Sequence, residues 1–170
     1  DFAIQKRGEA LREALDTWHE KAEGNALVEY GFHMICVDLP EKNVNEMDKM
    51  VTEGIPSFKL FMAYPGIFMS DDATIFRALQ RTKENGGMIC MHAENGGVID
   101  VLVKKALAAG QIEPKYHALT RPMSAEAEAT RRAISLAEMA GVPSNFADLS
   151  TAPSSASATT MRWAPRSATT

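Results

Sequence analysis

The sequence predicts an α/β chain organised on a parallel sheet, and three observations carry that prediction. Short apolar runs alternate with amphipathic helical segments four times, with strand centres near residues 34, 60, 90 and 147. Such alternation implies βα units with right-handed crossovers. Two of the runs, 57–66 and 88–96, place their polar residues at the C-terminal end, where α/β folds keep their chemistry. Finally, 170 residues with 45% hydrophobic and 24% charged content are ordinary for one globular domain.

Each element has its own justification. Residues 6–23 read as a helix because Leu11, Leu15 and Trp18 recur at helical spacing, and Gly24-Asn25 stops it. Residues 30–38 are too apolar for an alternating surface strand and are expected to be buried on both faces. A short helix follows at 45–53, carrying Met47 and Met50 and closed by Gly54. Next comes the strand Ser57-Phe58-Lys59-Leu60-Phe61-Met62, which ends at a Pro65-Gly66 turn. Ser70 and Asp71 can cap a helix running to about 85, with Ile75, Phe76 and Leu79 inward and Gly86-Gly87 at its end. The strand around His92 leads into a helix at 98–109, and a longer connection covers 111–123. Ser124 is the expected cap of a last helix ending at 140, before a strand candidate at 145–149. A closed (β/α)8 barrel usually needs roughly 250 residues. The chain therefore corresponds to about four units of one, or to a small open sheet.

From Ser150 onward the composition changes: 17 of the last 21 residues are Ser, Thr, Ala or Pro. Such a segment cannot bury enough surface to offset its ordering entropy. The expected division is thus a domain at 1–149 and a disordered tail at 150–170, read as a shifted reading frame or a cloning artefact after a truncated domain. A start at Asp1 suggests that the chain begins inside a longer gene product.

The net charge of −4 and the lack of a basic cluster argue against nucleic-acid binding. No stretch resembles a membrane span or a signal peptide. Cys36 and Cys90, each in an apolar run, read as reduced, packed thiols of a cytoplasmic protein.

Lys59, Tyr64 and His92 form the constellation that could carry chemistry. Strand alternation places Lys59 with Ser57 and Phe61 on one face and Phe58, Leu60 and Met62 on the other. An ammonium in such a run is costly to desolvate unless it is paired or used chemically. Taken singly, Lys59 reads as a sheet-edge residue, His92 as a hydrogen-bonded core imidazole and Tyr64 as packing. Together at the ends of adjacent βα units they fit a metal-hydrolase site. Elsewhere, His33 is expected to be a buried, satisfied imidazole, His19 to lie on a surface helix, and His117 to make a structural hydrogen bond near Arg121.

Three stretches carry a family resemblance: Ser57-Phe58-Lys59-Leu60-Phe61-Met62-Ala63-Tyr64-Pro65-Gly66, Met91-His92-Ala93-Glu94-Asn95-Gly96 and Tyr116-His117-Ala118-Leu119-Thr120-Arg121-Pro122. They resemble the dihydropyrimidinases and D-hydantoinases of the amidohydrolase superfamily, over residues 2 to about 141, as an internal fragment. The resemblance implies a partial TIM barrel that opens a dihydropyrimidine or hydantoin ring to an N-carbamoyl amino acid. It implies two divalent metal ions, usually zinc, bridged by a carboxylated Lys59. It further implies His92 as a ligand of the second ion and Tyr64 as the hydroxyl that stabilises an oxyanion. The family's paired His-x-His ligands would precede Asp1, and its next histidine ligand falls at Asp148. An aspartate can ligate zinc; the competing reading is a ligand lost in a degraded segment. The truncated chain is accordingly expected to be inactive as it stands. The implied partners are a small cyclic amide and further copies of the chain, the family being typically tetrameric. The alternative is a non-enzymatic scaffold similar to the collapsin response mediator proteins, against which retention of both Lys59 and His92 argues.

Overall fold

The computed structural model describes residues 1–142, and the candidate strand 145–149, Asp148 and the 150–170 tail lie outside the described residues. The described chain runs β1 (Phe2–Ile4), α1 (Leu11–Ala22), β2 (His33–Ile35), α2 (Glu41–Val44), α3 (Glu46–Thr52), β3 (Ser57–Phe61), α4 (Asp72–Asn85), β4 (Met88–His92), α5 (Gly96–Ala108), α6 (Lys115–Leu119) and α7 (Met123–Ala140). The four strands form one sheet in sequential order, and every neighbouring pair is parallel.

The register sorts the strand residues into two faces. Ala3, Met34, Phe58 and Ile89 form one row, with Leu60 and Met91 above them, all no more than 7% exposed. This face packs into one core with Leu11 and Leu15 of α1, Met47 and Met50 of α3, Ile75, Ala78 and Leu79 of α4, and Ala129 and Ala133 of α7. The crossovers thus deliver their helices to the same side of the sheet. The opposite face carries the row Ile4, Ile35, Lys59, Cys90, with Phe2, His33, Ser57 and Met88 below it and Phe61 and His92 above. Ile4, His33 and Met88 on this face are exposed. A sheet wound in one direction, with one face against helices and the other carrying polar groups, is the wall of a barrel seen from inside.

Several predicted elements differ in detail. The expectation placed no strand before residue 30, yet Phe2–Ile4 pairs with β2; three residues are too few for their periodicity to register. The 30–38 strand shrinks to His33–Ile35. Beyond Cys36 the amides of Val37 and Asp38 donate to the buried Gln5 side chain instead of to a neighbouring strand. His33 is exposed, contrary to the expected burial, with Nδ1 hydrogen-bonded to Ser57 Oγ. The first helix begins at Leu11 because the carboxylate of Glu9 accepts from the Lys6 amide, and Gly8, at φ 82°, closes a turn. Pro122, not Ser124, occupies the cap of α7. Asp71 caps α4 as expected, accepting from Thr74 N at 2.7 Å, while Ser70 is buried beside it. Among the described residues no helix is long and apolar enough to cross a membrane.

Candidate active site

The C-terminal ends of β3 and β4 bring the predicted residues together. Lys59 is mid-strand and 3% exposed, on the face that the helices do not cover, directly opposite Cys90 of β4. Its ammonium lies 5.4 Å from the centre of the Phe61 ring, within reach of an attractive cation–π contact. Phe61 is paired in register with His92, and their rings are 5.3 Å apart. Lys59 and His92 therefore share one face of adjacent strands, two residues apart along the strand direction.

Tyr64 follows in a tight loop. It is the one non-glycine residue with positive φ among the described residues, at 62°, a conformation that costs on the order of 1–3 kcal/mol and persists where surroundings enforce it. Here the carbonyl of Tyr64 accepts from the amides of Ile67, Phe68 and Met69 at 3.0–3.2 Å, and Ser70 N returns to Phe61 O. The loop swings the Tyr64 ring to 5.4 Å from the His92 ring. Its hydroxyl makes no hydrogen bond among the described residues, and Tyr64 is 37% exposed. Phe68 stacks on Phe61 at 5.0 Å, completing an aromatic wall.

His92 is 9% exposed and its Nε2 lies 3.0 Å from Glu94 Oε2. Glu94, also 9% exposed, has its other oxygen 3.9 Å from Arg121 Nε. Arg121 donates in turn to the carbonyl and Nδ1 of His117, which is the structural role expected of His117. Behind the loop, Asn95 N donates to Ala125 O, and the Asn95 amide group donates to Glu128. Glu94 went without a role in the sequence reading, although a carboxylate two residues after a strand-end histidine is a readable signal. Cys90 lies beside Lys59; burial pushes its thiol up and the ammonium pulls it partly back.

Among the described residues no cluster of three or more His, Cys, Asp or Glu side chains could hold a metal ion. Lys59 and His92 could contribute two donors, the first only after conversion of its cation to an anion. Asp148 lies outside the described residues.

No family model matches the chain. Similar proteins are nonetheless plain. The D-hydantoinase of Streptomyces coelicolor is 59% identical over 143 residues, covering 84% of this chain and 31% of the relative. The dihydropyrimidinase of Rattus norvegicus is 39% identical over 84% of this chain and 28% of its own length. Among solved structures, the dihydropyrimidinase from Brevibacillus agri superposes with a TM-score of 0.83 at 48% identity, covering 86% of this chain and 32% of that one. The solved hydantoinases are TIM-barrel proteins, so the single-sided parallel sheet is part of a (β/α)8 barrel and not a small open sheet. By sequence and by fold alike, the chain is a relative of the D-hydantoinases and dihydropyrimidinases that spans about one third of their length.

Proposed function

We propose that this chain carries part of the active site of a metal-dependent cyclic amidohydrolase, which opens a hydantoin or dihydropyrimidine ring to an N-carbamoyl amino acid. The observation that carries the reading is the burial of Lys59, 3% exposed, on the same sheet face as His92. Burying an ammonium there costs stability even where neighbouring groups such as the Phe61 ring offset a part of it, and a chemical use accounts for its being kept. Addition of carbon dioxide to the neutral Nζ, with loss of one proton, would convert that nitrogen into a carbamate with two anionic oxygens suited to bridging two divalent ions. His92 would supply an imidazole nitrogen to one of them. Such ions, zinc by family resemblance, would supply Lewis acidity and a water-derived nucleophile at neutral pH.

The rest of the chemistry belongs to the chain's own groups. The Tyr64 hydroxyl, which makes no hydrogen bond among the described residues, would donate to the oxygen on which negative charge develops as the ring amide is attacked. Phe61 and Phe68 provide an apolar wall beside His92. A scaffold role calls for no metal ligands, and the retention of both Lys59 and His92 on one sheet face favours the enzyme reading over it.

Metal analysis, carbon-13 spectroscopy after exposure to labelled bicarbonate, and a ring-opening assay with hydantoin and dihydrouracil test the reading. A carbamate carbon signal that disappears in Lys59→Ala, together with bound zinc, is the expected result for the site. Absence of both at neutral to mildly alkaline pH would reject it. Ring opening requires donors beyond Lys59 and His92, so turnover is expected to be absent or far below that of a whole barrel.

A further inference from the structure

The motif at 116–122 takes no part in the chemistry above, yet the structure ties it to the site through two buried contacts. Arg121 approaches one oxygen of Glu94, and the other oxygen of Glu94 meets Nε2 of His92 at 3.0 Å. All three side chains are largely withdrawn from water, at 21%, 12% and 11% exposure for Arg121, Glu94 and His92. The backbone carrying Glu94 is pinned as well, because Asn95 is held by Ala125 and Glu128 of α7.

We propose that Glu94 is the positioning residue for His92, and that Arg121 holds Glu94 in place. This deepens the metal-site reading and rests on it. A neutral imidazole carries one N–H, and the nitrogen without it is the one able to ligate a metal. An ionised carboxylate can only accept, so the contact at 3.0 Å selects the tautomer with the proton on Nε2. The lone pair is thereby assigned to Nδ1. The same bond fixes the rotation of the ring against Phe61 and Tyr64, whose centres lie 5.3 and 5.4 Å away. Carboxylates in contact with ligating histidines commonly fill this role. Arg121 Nε stands 3.9 Å from the oxygen of Glu94 that faces away from His92, a charge attraction that opposes rotation of the carboxylate off the imidazole. The link from the α6–α7 junction to the loop after β4 is thus electrostatic, and through it a segment about 25 residues downstream bears on the His92 ring.

The test is imidazole nitrogen spectroscopy on the whole 170-residue chain, metal-free and labelled with nitrogen-15 histidine, with His92 assigned by loss of its signals in His92→Asn. The expected spectrum shows a proton on Nε2 and an unprotonated Nδ1. In Glu94→Ala the Nδ1–H form should appear as a substantial fraction, and Arg121→Met should shift the balance in the same direction by less. Zinc affinity, measured by competition with a chromophoric chelator, should fall about 10–100-fold in Glu94→Ala and stay unchanged in Asp16→Ala, an exposed acid on α1 that pairs with Arg12. A wild-type His92 with its proton on Nδ1 would overturn the assignment, whether or not any variant folds. So would equal zinc affinity in wild type and a folded Glu94→Ala. A chain that shows the expected tautomer but binds no zinc keeps the positioning role and sinks the metal reading instead.

Discussion

Replacing Lys59 with methionine separates a chemical role from a structural one. Methionine fills nearly the same space and is about one heavy atom shorter, so the packing lost is on the order of 1 kcal/mol. Against this stands the desolvation of an ammonium 3% exposed to solvent, an effective penalty of several kcal/mol per ion, of which neighbouring groups offset a part. The balance favours the variant: in metal-free protein freed of bicarbonate, Lys59→Met should be more stable than wild type by about 1–3 kcal/mol. Urea unfolding followed by far-UV circular dichroism reads this directly. With a slope of about 1–3 kcal/mol/M, the midpoint should rise by roughly 1 M. Phe58→Ala, one residue away on the core-facing side and fully buried, sets the opposite scale with an expected loss of about 3–5 kcal/mol. Adding zinc and bicarbonate should then stabilise the wild type and leave the methionine variant unmoved, since only a ligand-binding native state gains by mass action. If Lys59→Met instead loses more than about 1 kcal/mol, the lysine is a structural residue and the argument from burial to chemistry collapses.

Three further outcomes are expected. Gly96→Ala should destabilise by about 1–3 kcal/mol, because an added Cβ would sit 2.8 Å from Ala63 Cα and 2.9 Å from Met62 O. Gly97→Ala, with its nearest neighbour 3.6 Å away, should be stabilising by about 0.5–1 kcal/mol; thermal melts showing the same sign for both would refute the close approach of α5 to the β3 loop. Under native conditions a thiol reagent should modify Cys90, which is partly exposed, well before Cys36, which is 0% exposed and whose thiol burial pushes far up. Mass spectrometry showing equal rates would contradict the packing of Cys36. The carboxyl of Asp48 is held below the ordinary carboxylate range chiefly by hydrogen bonds from Arg81, which tie α3 to α4. Its contribution is present above the unfolded carboxylate pKa and is lost as pH falls through the lower folded value. Asp48→Asn should therefore cost about 0.5 kcal/mol at neutral pH, the pair being screened by solvent, and nothing in strong acid.

Periodicity alone made much of this molecule legible. Ile75 and Leu79 were placed inward by spacing and are buried, Phe76 beside them is only partly so, and Leu11 and Leu15, recurring at helical spacing, are buried as well. The cap at Asp71 and the helix-ending glycines at 86 and 141 were likewise readable, because capping and positive φ are local chemistry that a few residues dictate. Strand alternation also put Lys59 on the side away from Phe58 and Leu60. Beyond that local range the sequence is silent. The Phe2–Ile4 strand exists only because β2 is there to pair with it, and three residues carry no period of their own.

What the amino-acid order determined by itself, then, is the set of amphipathic elements and the side of each that is apolar, since these follow from the spacing of side chains along one segment. The tertiary structure decided which elements meet. Register between separate strands aligned Lys59 with Cys90 and Phe61 with His92. The turn after β3 forced Tyr64 into a left-handed conformation that brings its ring to His92, and packing of α7 on α4, with the Asn95–Ala125 hydrogen bond, carried Arg121 to Glu94. Those contacts depend on loop closure and on burial shared among distant segments, which no local pattern encodes.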